Sequence, residues 1–148
     1  MTATFFGHKN AGSEIKPLLR KTVQELIDVR GVKNFYVGHH GHFDAMALDV
    51  LRELSKTNPI SYCIVLSNLN VHFIEEGIPT EFPEGIETVP RRLSIIFCNR
   101  YQIIKSDFVV TYVTHTVGSG AAKSKEAAIR AGKTVIELSE MPSADFLP

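Results

Sequence analysis

Short apolar runs alternate along this chain with longer stretches whose apolar residues recur at helical spacing. Residues 3–6 form the first run and stop at Gly7, which predicts a strand. Over residues 13–30, Ile15, Leu18, Leu19, Val23, Leu26 and Ile27 share one helical face. Ser13 is placed to cap the first amides of that helix, and Gly31 to end it. Residues 34–37 predict a second strand, stopped by Gly38. A second helix over residues 43–56 turns Ala47, Leu48, Leu51 and Leu54 inward and is followed by Pro59. Residues 60–66 are β-rich and apolar and predict a third strand. Residues 67–90 hold Gly77, Pro79, Pro83, Gly85 and Pro90 and predict a long irregular loop, a length usually tied to function or mobility. A third helix over residues 91–105 has Leu93, Ile96, Phe97, Ile103 and Ile104 on its apolar side. Residues 108–113 predict a fourth strand. A glycine-rich turn over residues 116–120 then leads into an Ala-rich helix, closed by Gly132, and residues 134–138 predict a fifth strand.

Strands that alternate with helices predict parallel pairing through right-handed crossovers. The strands are apolar throughout rather than alternating, as expected when both sheet faces are covered. The expected fold is α/β: a single Rossmann-like, doubly wound domain of about five mainly parallel strands with helices on both faces. Such sheets bind ligands at the carboxyl ends of their strands, near the reversal in strand order.

Composition narrows the class. The 148 residues suit one domain, with 44% hydrophobic and 22% charged residues. The formal net charge of +0 speaks against a broad electrostatic grip on nucleic acid. No uncharged apolar run approaches the roughly 18 residues of a membrane helix. The first residues lack the basic and apolar regions of a signal peptide. Cys63 and Cys98 each lie in an apolar segment and are expected as buried, reduced thiols, with a cytoplasmic location.

The sheet-edge rule selects three turns. The first holds Gly7, His8, Lys9 and Asn10. The second holds Gly38, His39, His40, Gly41 and Asp44. The third holds His115, Gly118, Ser119, Gly120 and Ala121. Glycines let backbone approach a ligand, and the helix N-termini that follow offer amides to an anion. The expected ligand therefore bears phosphate, against the alternative of purely structural turns. The third turn is not a Walker loop, because Ala121 and Ala122 precede Lys123, and the dinucleotide fingerprint is absent as well. His39, His40 and His42 crowd one turn without metal-ligand spacing, so no metal is expected. Arg100 is a candidate phosphate clamp, with an exposed helical arginine as the alternative. Asp44 is read as a helix cap or as a partner of a ribose hydroxyl. Arg91 and Arg92 read as a solvated pair, and His72 is given no role. No nucleophile elbow is present.

These turns resemble a known family. Phe5, Phe6, Gly7, His8 and Lys9 are similar to the opening motif of the SLOG superfamily. Gly41, Phe43, Asp44 and Ala47 resemble its second element, and Asn99, Arg100, Tyr101, Ser106 and Asp107 its central helix motif. Gly118, Ser119, Gly120 and Ala121, with Ala127, Ala128 and the run after Gly132, resemble its last turn, helix and strand. The likeness spans nearly the whole chain. It implies a Rossmann-like domain that binds nucleotides or nucleotide-derived small molecules, with small stand-alone ligand sensors as the expected role of its nearest members. The superfamily also contains the Lonely-guy phosphoribohydrolases, whose motif ends in a catalytic glutamate. Here Ala121 replaces that motif's threonine and Ser124 stands at the glutamate position, with Glu126 as the nearby substitute. Loss of the carboxylate favours binding over cleavage of an N-glycosidic bond.

The resulting expectation is a binding module with no obligatory cofactor. Residues 118–121 and the helix behind them would hold phosphate, while Gly7, Gly38 and Gly41 line the floor. Arg100 would neutralise charge, and Asp44 or His40 would meet a sugar hydroxyl. The alternative is a nucleotide hydrolase acting through Asp44 or Glu126. A homodimer or higher homo-oligomer is a further expectation, with Phe35, Tyr36, Ile95, Ile96 and Phe97 as candidate interface or core.

Overall fold

The computed structural model describes residues 1–68 and 77–141. Its elements are β1 (Thr2–Gly7), α1 (Lys16–Asp28), β2 (Asn34–Val37), α2 (His42–Leu54), β3 (Ser61–Val65), β4 (Thr80–Glu81), α3 (Ser94–Lys105), β5 (Phe108–Tyr112), α4 (Gly120–Arg130) and β6 (Thr134–Glu137). The strands form one sheet in the order β4-β3-β2-β1-β5-β6, and every pairing is parallel. From β1 the chain steps outward through β2 and β3 to β4. It then crosses back over α3 to β5 on the other side of β1. The order therefore reverses between β1 and β5, and all six carboxyl ends share one edge. This is the Rossmann-like, doubly wound fold.

Both faces of the sheet are covered because neighbouring residues of a strand point opposite ways. Phe5, Phe35 and Val37 enter the larger core with Leu19, Val23 and Leu26 of α1 and Ala47 and Leu51 of α2. Phe6 and Val109 face the other way, against Ile103 of α3 and Ala128 of α4. The Phe5 and Phe35 rings stack at 6.1 Å. Each is worth about 1.5–3 kcal/mol through burial. Phe35 is 1% exposed and belongs to this core, not to an interface.

Four expectations need correction. The segment 67–90 is not loop throughout: its described part contains β4 and a short 3-10 turn at Ile86–Thr88. β4 joins the sheet edge through Ile64↔Thr80 and Val65↔Glu81, which makes six strands rather than five. A two-residue polar strand carries no periodicity to read. Residues 69–76, including His72, lie outside the described residues. Ser13 makes no cap: it opens a 3-10 turn at Ser13–Ile15, and no side chain caps α1, whose N-terminus is set by Pro17 instead.

The fourth correction concerns α3. Its buried stripe is Ser94, Cys98, Gln102 and Ile103, whereas Leu93, Ile96 and Ile104 face solvent. Gln102 donates to Thr4 Oγ1 at 2.8 Å, Thr4 Oγ1 donates in turn to the Tyr36 carbonyl at 2.9 Å, and Cys98 Sγ donates to the Leu66 carbonyl at 3.3 Å. α3 therefore docks through these hydrogen bonds together with Ile103, which packs on Phe6 and Val109, while its other isoleucines stay exposed. Both cysteines are free: Cys98 is buried, and Cys63 is half-buried with its thiol pushed up to about 12 by burial and then by Glu81.

Candidate functional site

Beyond the carboxyl ends of β1 and β5, which stay paired through Gly7↔Tyr112, the strand-order reversal leaves a cleft of about 360 Å³. Three turns and three helices build it. Residues 6–10 supply the floor from β1. His40 enters from the turn between β2 and α2, and Asp44 from the first turn of α2. His115 and residues 118–121 come from the turn between β5 and α4. Ile95 and Asn99 of α3 and Ser124 of α4 complete the wall.

Of the sequence candidates, Gly7, His8, Lys9, His40, Asp44, Gly118, Ser119, Gly120 and Ala121 meet in this cleft. Gly38, His39 and Gly41 stand behind it and shape it. A Cβ on Gly7 would lie 2.2 Å from the Phe43 ring, and one on Gly41 would lie 2.6 Å from Lys9 Cα. Gly41 also has φ +110, which a side chain resists. These glycines let the start of α2 press against the first turn, and so they deliver Asp44. A Cβ on Gly38 would reach within 2.8 Å of Asp44 Oδ2. Arg100 is not in the cleft: it is exposed on the outer side of α3, and Asn99 faces inward in its place. Glu126 is also outside, exposed and paired with Arg130. Lys9 is therefore the cation that borders the cleft.

Gly120 differs from the other glycines. A Cβ there would meet nothing within 4 Å, and its φ is not positive. Packing does not require glycine at this wall, and a side chain would project into open space. Behind it, Ser119 caps α4 by accepting from the Ala122 amide at 3.0 Å. The first-turn amides of Gly120 and Ala121 have no intrahelical acceptor, as at any helix start, and they add to the positive end of the helix dipole.

The histidines form two pairs. His8 is buried, and its ring stacks on His115 at 4.0 Å and 9°. The Thr114 amide donates to His8 Nε2 at 2.8 Å. Burial, then the neighbouring His115, hold His8 below its ordinary pKa, while Glu137 pulls the other way. His39 and His40 pack at 4.0 Å and both meet Ser67: the Ser67 amide donates to His39 Nε2 at 3.1 Å, and its hydroxyl lies 3.1 Å from His40 Nε2. Burial, with His39 and Lys9 nearby, lowers His40 to about 4. Among the described residues, no group of three or more His, Cys, Asp or Glu converges closely enough to hold a metal ion.

Asp44 is the carboxylate in the cleft wall. Loss of solvent raises it to about 7, against the hydrogen bond its Oδ2 accepts from the His40 amide at 2.9 Å.

The residues missed from sequence are Asn99, Ser124 and Ile95. Asn99 donates to Ser124 Oγ at 3.2 Å and ties α3 to α4 across the wall. The polar stripe Ser94, Cys98 and Gln102 is the signal that orients α3 and sends residues 95 and 99, not 100, toward the cleft. No family model matches this chain, and no curated protein is similar to it.

Proposed function

We propose that the protein binds a nucleotide or nucleotide-derived small molecule in this cleft, as a ligand-sensing or ligand-carrying module of SLOG type. The observation that carries the reading is the wall at Gly118, Ser119, Gly120 and Ala121. It is a helix start at the strand-order reversal, with a glycine there that no internal contact requires. Phosphate oxygens would meet the Gly120 and Ala121 amides and Lys9. Asp44 and Asn99 are placed for the hydroxyls of an attached sugar. Arg100 has no part in this reading. The exposed apolar side of α3 is the surface through which copies would associate, and light scattering tests that.

A thermal-shift series with nucleoside monophosphates, nucleotide sugars and ADP-ribose tests the reading. A ligand at a hundred times its Kd adds about 2.7 kcal/mol of apparent stability. The expected result is a shift with phosphorylated members that Gly120→Asp abolishes and Arg100→Ala leaves in place. A shift lost in Arg100→Ala but kept in Gly120→Asp overturns the placement.

The second reading, a nucleotide hydrolase of Lonely-guy type, draws support from Asp44 alone, since it puts an exchangeable carboxyl proton into the cleft. Release of free base from a nucleoside monophosphate, abolished in Asp44→Ala and kept in Glu126→Ala, would establish it over binding alone.

A further inference from the structure

Ser119 is 5% exposed, and the donors around its hydroxyl oxygen determine where its proton goes. The Ala122 amide donates to Ser119 Oγ at 3.0 Å. His8 Nδ1 lies 3.4 Å from the same oxygen. The direction of that second contact follows from the far side of the ring. His8 Nε2 accepts the Thr114 amide proton at 2.8 Å, so it is the bare nitrogen of a neutral imidazole, and Nδ1 carries the hydrogen. Nδ1–H then donates to Ser119. Both lone pairs of the hydroxyl are occupied, and its own proton has no acceptor given by these contacts. Ser119 is also one of the residues that line the cleft.

We propose that His8 is a positioning residue: the chain from the Thr114 amide through His8 holds the Ser119 hydroxyl as a fixed donor toward an anionic oxygen in the cleft. This rests on the anion-binding reading above and deepens it. The arrangement selects for a pure acceptor, such as a phosphate oxygen, and against a ligand that presents a donor at that point. It also removes Ser119 from nucleophilic chemistry, because a ring nitrogen that already carries a proton cannot take one from the hydroxyl.

The first arm of the test needs no ligand. Long-range proton–nitrogen correlation on the intact protein with labelled histidine reads the tautomer of His8. The account expects a neutral ring with its proton on Nδ1 at neutral pH. A proton on Nε2, or an imidazolium, overturns it. The second arm titrates inorganic phosphate and AMP into variants. Ser119→Ala and His8→Phe should each weaken binding roughly tenfold to a hundredfold, the range for a lost hydrogen bond to a charged group. The double variant should be no weaker than either single one, and His8→Asn, which keeps a donor near the Nδ1 position, should recover most of the affinity. Additive losses, or no rescue by asparagine, contradict the relay. If the wild type binds neither probe, the anion-site reading fails and takes the role of the Ser119 proton with it. The wrong tautomer in a protein that does bind them overturns the relay alone.

Discussion

Asp44 and the histidines beside it pull stability in opposite directions with pH. Asp44 has its folded pKa raised to about 7, so folding favours the protonated acid. Its contribution is fully present below the unfolded carboxylate range and is lost as pH rises through about 7. His40 is lowered to about 4, so its contribution is present above the ordinary histidine range and lost as pH falls through about 4. Asp44→Asn keeps an acceptor for the His40 amide and removes the charge. It should stabilise the protein above neutrality, on the order of 2 kcal/mol, and do little in mild acid. Denaturant unfolding across that pH range checks this. A stabilisation independent of pH would show that Asp44 is not desolvated in the cleft.

Single elements are held by features that periodicity does not report. Glu137, at the end of β6, accepts from the Val113 amide at 3.0 Å, the Ser139 amide at 3.0 Å, Thr111 Oγ1 at 2.8 Å and Lys125 Nζ at 3.0 Å. Burial pushes its carboxyl up, but these donors outweigh that and leave it below its ordinary range. It clamps the end of β5, from which the cleft turn departs. Its stability contribution is present above the unfolded carboxylate pKa and is lost as pH falls through the lower folded one. Glu137→Gln should therefore cost about 1–3 kcal/mol at neutral pH and less in acid. An equal cost at both would mean that the charge has no part in the clamp. α3 makes the complementary case. Ile104 is 72% exposed although it belongs to an apolar run, so Ile104→Lys should change the stability of the monomer by less than about 0.5 kcal/mol. A loss of several kcal/mol at concentrations where light scattering shows only monomer would place Ile104 in the core instead. Besides Ile103, the residues that hold α3 are Cys98 and Gln102. Their signal in the sequence is a polar stripe at i, i+4 spacing, which an apolar count passes over.

At the scale of the whole molecule, the alternation of apolar runs and helical stretches was enough to read the sheet, because both faces of a parallel sheet must be covered. It was also enough to place the βα turns together, since parallel strands put every one of them on one side of the sheet. β4 was not legible, because two polar residues at a sheet edge leave no pattern. Neither was the exchange of Arg100 for Asn99 at the cleft: helix rotation is set by which residues hydrogen-bond to the sheet, and the sequence does not state those partners. The glycines were legible as turns, but their separate tasks were not. Gly7, Gly38 and Gly41 make room for neighbouring groups, while Gly120 leaves room for something from outside. The central claim is that this last space is a phosphate site. Titration of AMP into nitrogen-labelled protein tests it most directly, residue by residue. The account predicts saturable amide shifts centred on Gly118, Ser119, Gly120 and Ala121, with smaller ones at His8 and Lys9. Shifts confined to the outer side of α3 around Arg100, or none at any concentration of AMP, would contradict it.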